Sequence, residues 1–125
     1  MARIQIKPLS VNDAWNTYCT RCKQAKTVKR TKSDKYKQFE RDLLFLLPKK
    51  IEIPVGKLRI DFIWGFSSKG SDWDNPIKPL QDVLQKKYNF NDSIVYFGSV
   101  EKRIVKKGDE FIDFKITSLE NTLQL

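Results

Sequence analysis

The feature that most constrains the fold is a run of alternating apolar and polar residues near the middle of the chain. Its apolar positions are Leu58, Ile60, Phe62, Trp64 and Phe66. Successive side chains of a β-strand point to opposite faces, so the pattern predicts a strand over 57–66 with one buried face and with Asp61 on the solvent side. A strand of this kind requires a sheet whose apolar face is covered by a second layer.

Two segments repeat apolar residues at helical spacing and are suited to cover such a sheet. The first follows Ser33, a good N-cap, and ends where Pro48 prevents continuation. The second follows Asn75, has Pro76 in its first turn, and is predicted to run to about Lys87.

Shorter patterns complete the expected organisation. Segment 3–7 predicts a strand, while 10–30 is expected to be a long ordered loop, which in a compact domain is usually functional. Segments 94–106 and 111–117 predict two strands joined as a hairpin through the turn at Gly108. The tail from Ser118 is expected either to fray or to dock on a partner subunit. With 40% hydrophobic residues, the 125-residue chain fits a single domain over residues 1–125.

The charge balance points to a polyanionic partner. The chain has a net charge of +9, and inside a cell the most abundant polyanion is nucleic acid. Basic residues are densest early in the chain, and the candidate DNA contacts there are Arg21, Lys23, Lys26, Lys29, Arg30 and Lys32. Charge alone is equally compatible with a solvated basic loop and helix face.

Composition also excludes several kinds of site. The chain has no histidine, which removes the commonest general base and the commonest transition-metal ligand. Cys19 and Cys22 form one CxxC without a second pair, so they are either reduced loop cysteines or half of a zinc site shared between two chains. No run is long and apolar enough to span a bilayer, and the N-terminus lacks the apolar core of a signal peptide. We therefore expect a cytoplasmic protein without a membrane partner.

Asp72 and Asp74 form the candidate site, together with two residues further along the chain. The two aspartates follow the predicted strand, Lys78 begins the next helix, and Asp92 directly precedes the strand after it. If that strand lies beside the first one, Asp92 returns to the aspartate pair. Mg²⁺ prefers carboxylate oxygens, and a lysine stabilises charge in phosphoryl chemistry. The alternative is a solvated acidic turn, and Trp73 between the aspartates is expected to be a core anchor rather than a base-stacking wedge.

The same residues resemble a known family. Residues 72–78, DWDNPIK, followed by Asp82 and Leu84, are similar to the D-x-D-N-x-x-K-x-x-x-D-x-L signature of the RusA-type Holliday junction resolvases. Asn91-Asp92 stands where that family has two aspartates, and the similarity also takes in segments 8–15 and 31–44. Asn91 is therefore a departure from the family pattern, at a position that bears on the charge of the metal site.

The resemblance implies an α+β fold, a small mixed β-sheet with two main helices packed on it, in a homodimer. It implies a Mg²⁺-dependent endodeoxyribonuclease that makes paired nicks in four-way DNA junctions, with no organic cofactor. Asp72, Asp74 and Asp92 match the metal-binding aspartates and Lys78 matches the essential lysine, while Asn75 and Asp82 are expected to support them. Two alternatives remain open: a basic DNA-binding protein without catalysis, and a Mg²⁺ nuclease that acts on other branched DNA.

Overall fold

The computed structural model describes residues 2–19 and 28–120, which form an α+β fold. The strands are β1 (Ala2–Ile4), β2 (Trp15–Cys19), β3 (Val28–Lys32), β4 (Leu58–Phe66), β5 (Val95–Ile104) and β6 (Phe111–Ser118). The helices are α1 (Val11–Ala14), α2 (Asp34–Leu46) and α3 (Ile77–Tyr88), and a 3₁₀ turn spans Asp92–Ile94. Within the described ranges, no helix has the length and apolarity needed to cross a bilayer.

The main sheet is mixed and has four strands in the order β1-β6-β4-β5. Strand β4 pairs in parallel with β5 and antiparallel with β6. The predicted hairpin of the last two strands is therefore wrong, because β5 and β6 lie on opposite sides of β4. The most apolar strand of the chain takes the central position, where both of its edges are paired. Helix α3 is the connection that parallel pairing of β4 and β5 requires.

The core lies between one face of this sheet and the two long helices, as the sequence predicted. Trp64 and Ile112 contribute from the sheet, Leu43 from α2 and Leu84 from α3, and all four side chains are fully buried. Helix α2 begins at its predicted cap, where the Ser33 hydroxyl accepts a hydrogen bond from the Tyr36 amide. The small mixed sheet with two main helices is thus confirmed.

The segment predicted as a long loop over 10–30 contains regular structure instead. The hydroxyl of Ser10 caps the one-turn helix α1 at the Asn12 amide, and β2 then pairs antiparallel with β3. At the base of this hairpin the Ser33 amide donates to the carbonyl of Ala14 at 3.0 Å, which joins the end of α1 to the start of α2. Single-sequence reasoning gave too much weight to the turn-forming residues at 12, 13 and 16 and missed the pairing.

Strand boundaries also differ from the prediction, and β5 spans Val95–Ile104 rather than 94–106. Strand β1 ends at Ile4 rather than at Lys7. At the other end of the chain, β6 runs through Ser118, the Leu119 amide donates to the carbonyl of Lys57, and the Leu119 side chain is buried. The described part of the tail is therefore packed on its own chain.

Candidate active site

The loop between β4 and α3, which contains Asp72 and Asp74, is held by the buried end of the central strand. The indole Nε1 of Trp64 donates a hydrogen bond to the backbone carbonyl of Trp73 at 2.9 Å. On the other side, the ammonium of Lys102 on β5 donates to the carbonyls of Lys69 and Ser71. These bonds connect the loop to two neighbouring strands, so its position follows that of the sheet.

Within the loop, Asn75 organises the backbone around the aspartates. Its side-chain amide donates to Asp72 at 3.2 Å, and its carbonyl accepts the amide of Val11 from α1 at 2.9 Å. The carbonyl of Asp74 accepts the Ile77 amide at 3.1 Å, which connects the loop to the first turn of α3. Both carboxylates remain exposed to solvent. The contact with Asp72 is shown, while the supporting role of Asn75 in a metal site stays a prediction.

Asp92 lies in the 3₁₀ turn that leads into β5, immediately before the strand as the sequence predicted. Its backbone amide donates to the side-chain oxygen of Gln85 on α3 at 3.1 Å. Asn91 caps the turn, because its side-chain oxygen accepts the amide of Ser93 at 2.9 Å. Aspartate and asparagine cap helical turns about equally well, so this use of position 91 tolerates the departure from the family pattern.

Lys78 joins Asp92 to helix α3. Its ammonium lies 2.8 Å from a carboxylate oxygen of Asp82, one turn along the helix, and 3.7 Å from one of Asp92. The hydrogen bond with Asp82 and the negative charges of both aspartates raise the pKa of Lys78 above its ordinary value of 10.5. Lys78 therefore stays a cation at neutral pH. The Lys78–Asp92 pair joins two predicted active-site residues that lie on different elements.

The donor set has the chemistry that Mg²⁺ prefers, but its three carboxylates are not gathered into one cluster. Over the described residues, no three aspartate, glutamate, cysteine or histidine side chains form a group able to hold a metal. Asp72 and Asp74 are adjacent to the start of α3, and Asp92 is drawn to Lys78 on the same helix. Mg²⁺ commonly uses one or two carboxylates and keeps several waters, a requirement that exposed side chains of this kind fit.

Trp73 differs from its prediction. Rather than anchoring the core, its side chain is 56% exposed, and only its backbone carbonyl is tied to the interior. The buried tryptophan beside the loop is Trp64, whose indole reaches the Trp73 carbonyl from β4. The alternation of the strand could not reveal this, because Trp73 lies beyond the last alternating residue.

The predicted DNA contacts are only partly described. Arg21, Lys23 and Lys26 lie outside the described residues, whereas the backbones of Lys29 and Arg30 belong to β3. The ammonium of Lys32 is 2.8 Å from a carboxylate oxygen of Glu40, whose other oxygen is 2.5 Å from Lys86.

Two opposing effects act on the pKa of Glu40, which pairs with both Lys32 and Lys86. Burial by itself would raise that pKa, but the hydrogen bonds from Lys32 and Lys86 outweigh it and leave the pKa below its usual range. Lys32 thus ties β3 to both long helices, a role that sequence reasoning did not assign to it.

Sequence reasoning also missed the residues that position the site. Trp64 was assigned to the core without its hydrogen bond, and neither Lys102 nor Gln85 was singled out. Lys102 could have been singled out from the sequence, because it stands on the apolar face of β5, where a charged side chain needs a partner. Val11 contributes only a backbone amide, which no side-chain pattern indicates.

Two comparisons with known proteins leave the family resemblance untested. No family model matches the chain, and no curated protein matches it.

Proposed function

We propose that this protein is a Mg²⁺-dependent endodeoxyribonuclease that resolves four-way DNA junctions by paired nicks, and that it acts on DNA in the cytoplasm. The observation that carries the proposal is the contact between Lys78 and Asp92 at 3.7 Å. This contact joins Asp92 to Lys78, two parts of the motif that are separated in sequence. Lys78 lies in the first turn of α3, the helix that follows the Asp72–Asn75 loop.

Asp72, Asp74 and Asp92 are the residues that would hold Mg²⁺. When bound, the ion would neutralise charge on the scissile phosphate and lower the pKa of a water for attack on it. Lys78 stays protonated beside its two aspartates, and it would donate a hydrogen bond to the phosphate oxygens or a proton to the leaving oxygen. Trp64 and Asn75 keep the loop in place, which limits the reorganisation needed when substrate binds.

Recognition of the junction would rest on shape and phosphate contacts. The net charge of +9 supports binding to the DNA backbone, and segment 21–32 remains the proposed surface. A homodimer would match the two-fold pseudo-symmetry of a junction and present one site to each of two strands. The symmetry of the substrate is thus the argument for proposing a dimer.

A specific observation favours one other candidate, a basic DNA-binding protein without catalysis. In the described part of the chain the three aspartates do not form a metal-binding group, and Lys78 neutralises one of them. The two candidates differ in one outcome, since both bind junctions and only the nuclease nicks them when Mg²⁺ is added.

The test compares labelled four-way junctions with flaps, forks and linear duplex, each with Mg²⁺ and with Ca²⁺. We expect Mg²⁺-dependent nicks in the junction, little cutting of duplex, and binding without nicks in Ca²⁺. Asp74→Asn should abolish nicking and leave junction binding within about twofold, while the exposed control Asp109→Asn should behave as wild type. Binding without any nick would favour the non-catalytic candidate, and equal cutting of all branched substrates would remove the junction preference.

A further inference from the structure

An unassigned pocket of about 260 Å³ lies beside the candidate active site. It is bounded by Trp73 from the loop, by Ile77 and Gln81 from α3, and by Val95 and Gly98 from β5. Most of its lining is apolar, and Gly98 adds no side chain to its wall. Soluble proteins seldom leave a concave apolar surface open unless something occupies it.

Several residues that line the pocket are neighbours in sequence of the proposed site residues. Trp73 stands between Asp72 and Asp74, Ile77 precedes Lys78, and Val95 follows the turn that contains Asp92. A phosphate held by Asp74 and Lys78 would therefore lie beside residues that line this pocket. The group that a nucleotide has available for an apolar pocket beside its own phosphate is its base.

We propose that this pocket takes one unpaired nucleobase next to the scissile phosphate, stacked on the indole of Trp73. The inference rests on the proposed function, and it assigns the part of the substrate that the site grips. Trp73 suits the role because its ring is 56% exposed while its backbone is fixed by the fully buried Trp64. Base–aromatic stacking tolerates any base, since every base has a π-face.

The polar side chains in the lining are Gln81 and Ser99, and the Ser99 hydroxyl donates to Asp61, so Gln81 is the polar contact we assign to the ligand. Its amide can both donate and accept a hydrogen bond, which is the pattern needed to bind the edge of a base that has left its stack. The residues that line the pocket carry no charged side chain, so the pocket itself suits an uncharged ring.

The experiment is a double-mutant cycle in which one change is made in the protein and the other, removal of a base, is made in the DNA. Four-way junctions are prepared with a single abasic site at successive positions around the crossover, and binding is measured in Ca²⁺ for wild type, Trp73→Ala and Trp73→Phe. One position should weaken wild-type binding about tenfold when its base is missing. Trp73→Ala should weaken binding to the intact junction similarly and lose that sensitivity, so that the two changes together cost no more than either alone. Trp73→Phe keeps an aromatic ring, so it should bind the intact junction more tightly than Trp73→Ala and regain much of the sensitivity to the abasic site.

Phe45→Ala serves as the control, because Phe45 is an exposed aromatic on α2 that does not line the pocket. Its abasic profile should match wild type. An unchanged profile in Trp73→Ala would overturn the proposal, and so would a change of oligomeric state without a change of profile, which would assign the pocket to a second copy of the chain.

Nicking is measured separately in Mg²⁺, so that this inference and the proposed function fail independently. Nicks without coupling to any base would remove the pocket proposal alone. Coupling without nicks would keep a base-binding pocket and remove the nuclease.

Discussion

Replacing Trp64 with phenylalanine tests whether the loop that bears Asp72 and Asp74 depends on one hydrogen bond from the core. The indole of Trp64 is fully buried and donates to the Trp73 carbonyl at 2.9 Å. Loss of that bond is worth about 1 kcal/mol. The smaller ring also gives up apolar burial equivalent to about two methylene groups, or about 2 kcal/mol. We therefore expect Trp64→Phe to unfold about 3 kcal/mol more easily than wild type, measured by urea titration.

The effect on nicking should be larger than the loss of stability explains. With its anchor gone, the loop that bears Asp72 and Asp74 can shift, and a displacement of about 1 Å in a reacting group lowers rates about 100-fold. Single-turnover nicking of a labelled junction should fall by one to two orders of magnitude, whereas junction binding in Ca²⁺ should change little.

Leu43→Ala is the matched control for this prediction. Leu43 is also fully buried, but it lies on α2 rather than on β4, and such a truncation costs about 2–5 kcal/mol. At a temperature where both variants are folded, Leu43→Ala should nick at the wild-type rate. Equal nicking rates in the two variants would refute the argument that the indole bond positions the loop.

Three further predictions concern charge, packing and DNA binding. Asp82→Asn removes the partner that raises the pKa of Lys78, so the loss of nicking at alkaline pH should begin at lower pH than in wild type. The stability from this pair is present below pH 10.5 and is lost as pH rises through the higher folded pKa, and in Asp82→Asn the alkaline loss should diminish. Gly65→Ala should destabilise the fold by about 1–3 kcal/mol in urea, because the added Cβ would lie 2.5 Å from a buried phenyl ring. Lys29→Ala with Arg30→Ala should weaken junction binding and lower its salt slope by about 2.

Each of these has an outcome that would contradict it. If nicking by Asp82→Asn is lost at the same alkaline pH as in wild type, the protonation of Lys78 does not control the nicking rate. Wild-type stability of Gly65→Ala would show that the packing around Gly65 relaxes. For the basic pair the control is Lys49→Ala with Lys50→Ala, two exposed lysines after α2. If both double variants lower the salt slope equally, β3 has no special part in binding.

The elements with strong periodicity were predictable from sequence. The central strand, the Ser33 cap and helix α3 follow from local patterns, and the ion pair of Lys78 with Asp82 follows from their spacing of one turn. These features depend on residues close in sequence. From the sequence, the parallel pairing that brings Asp92 to Lys78 could be stated only as a condition. Strand order depends on which segments pair across the sheet, and local patterns do not determine that.

The errors have the same physical origin. The last two strands were assigned to a hairpin because a good turn joins them, yet each pairs with β4 instead. Trp73 was assigned to the core because tryptophans are usually buried, whereas it is 56% exposed. Local propensity registers neither the competition between distant segments for pairing with one strand nor the burial that the tertiary fold decides.

The most direct test of the central claim is a single gel of a mobile four-way junction, labelled on each strand in turn, with and without Mg²⁺. The account predicts nicks at symmetric positions in two strands of like polarity, only when Mg²⁺ is present, and none with Asp74→Asn. Binding of the junction with no nick at any Mg²⁺ concentration would contradict it.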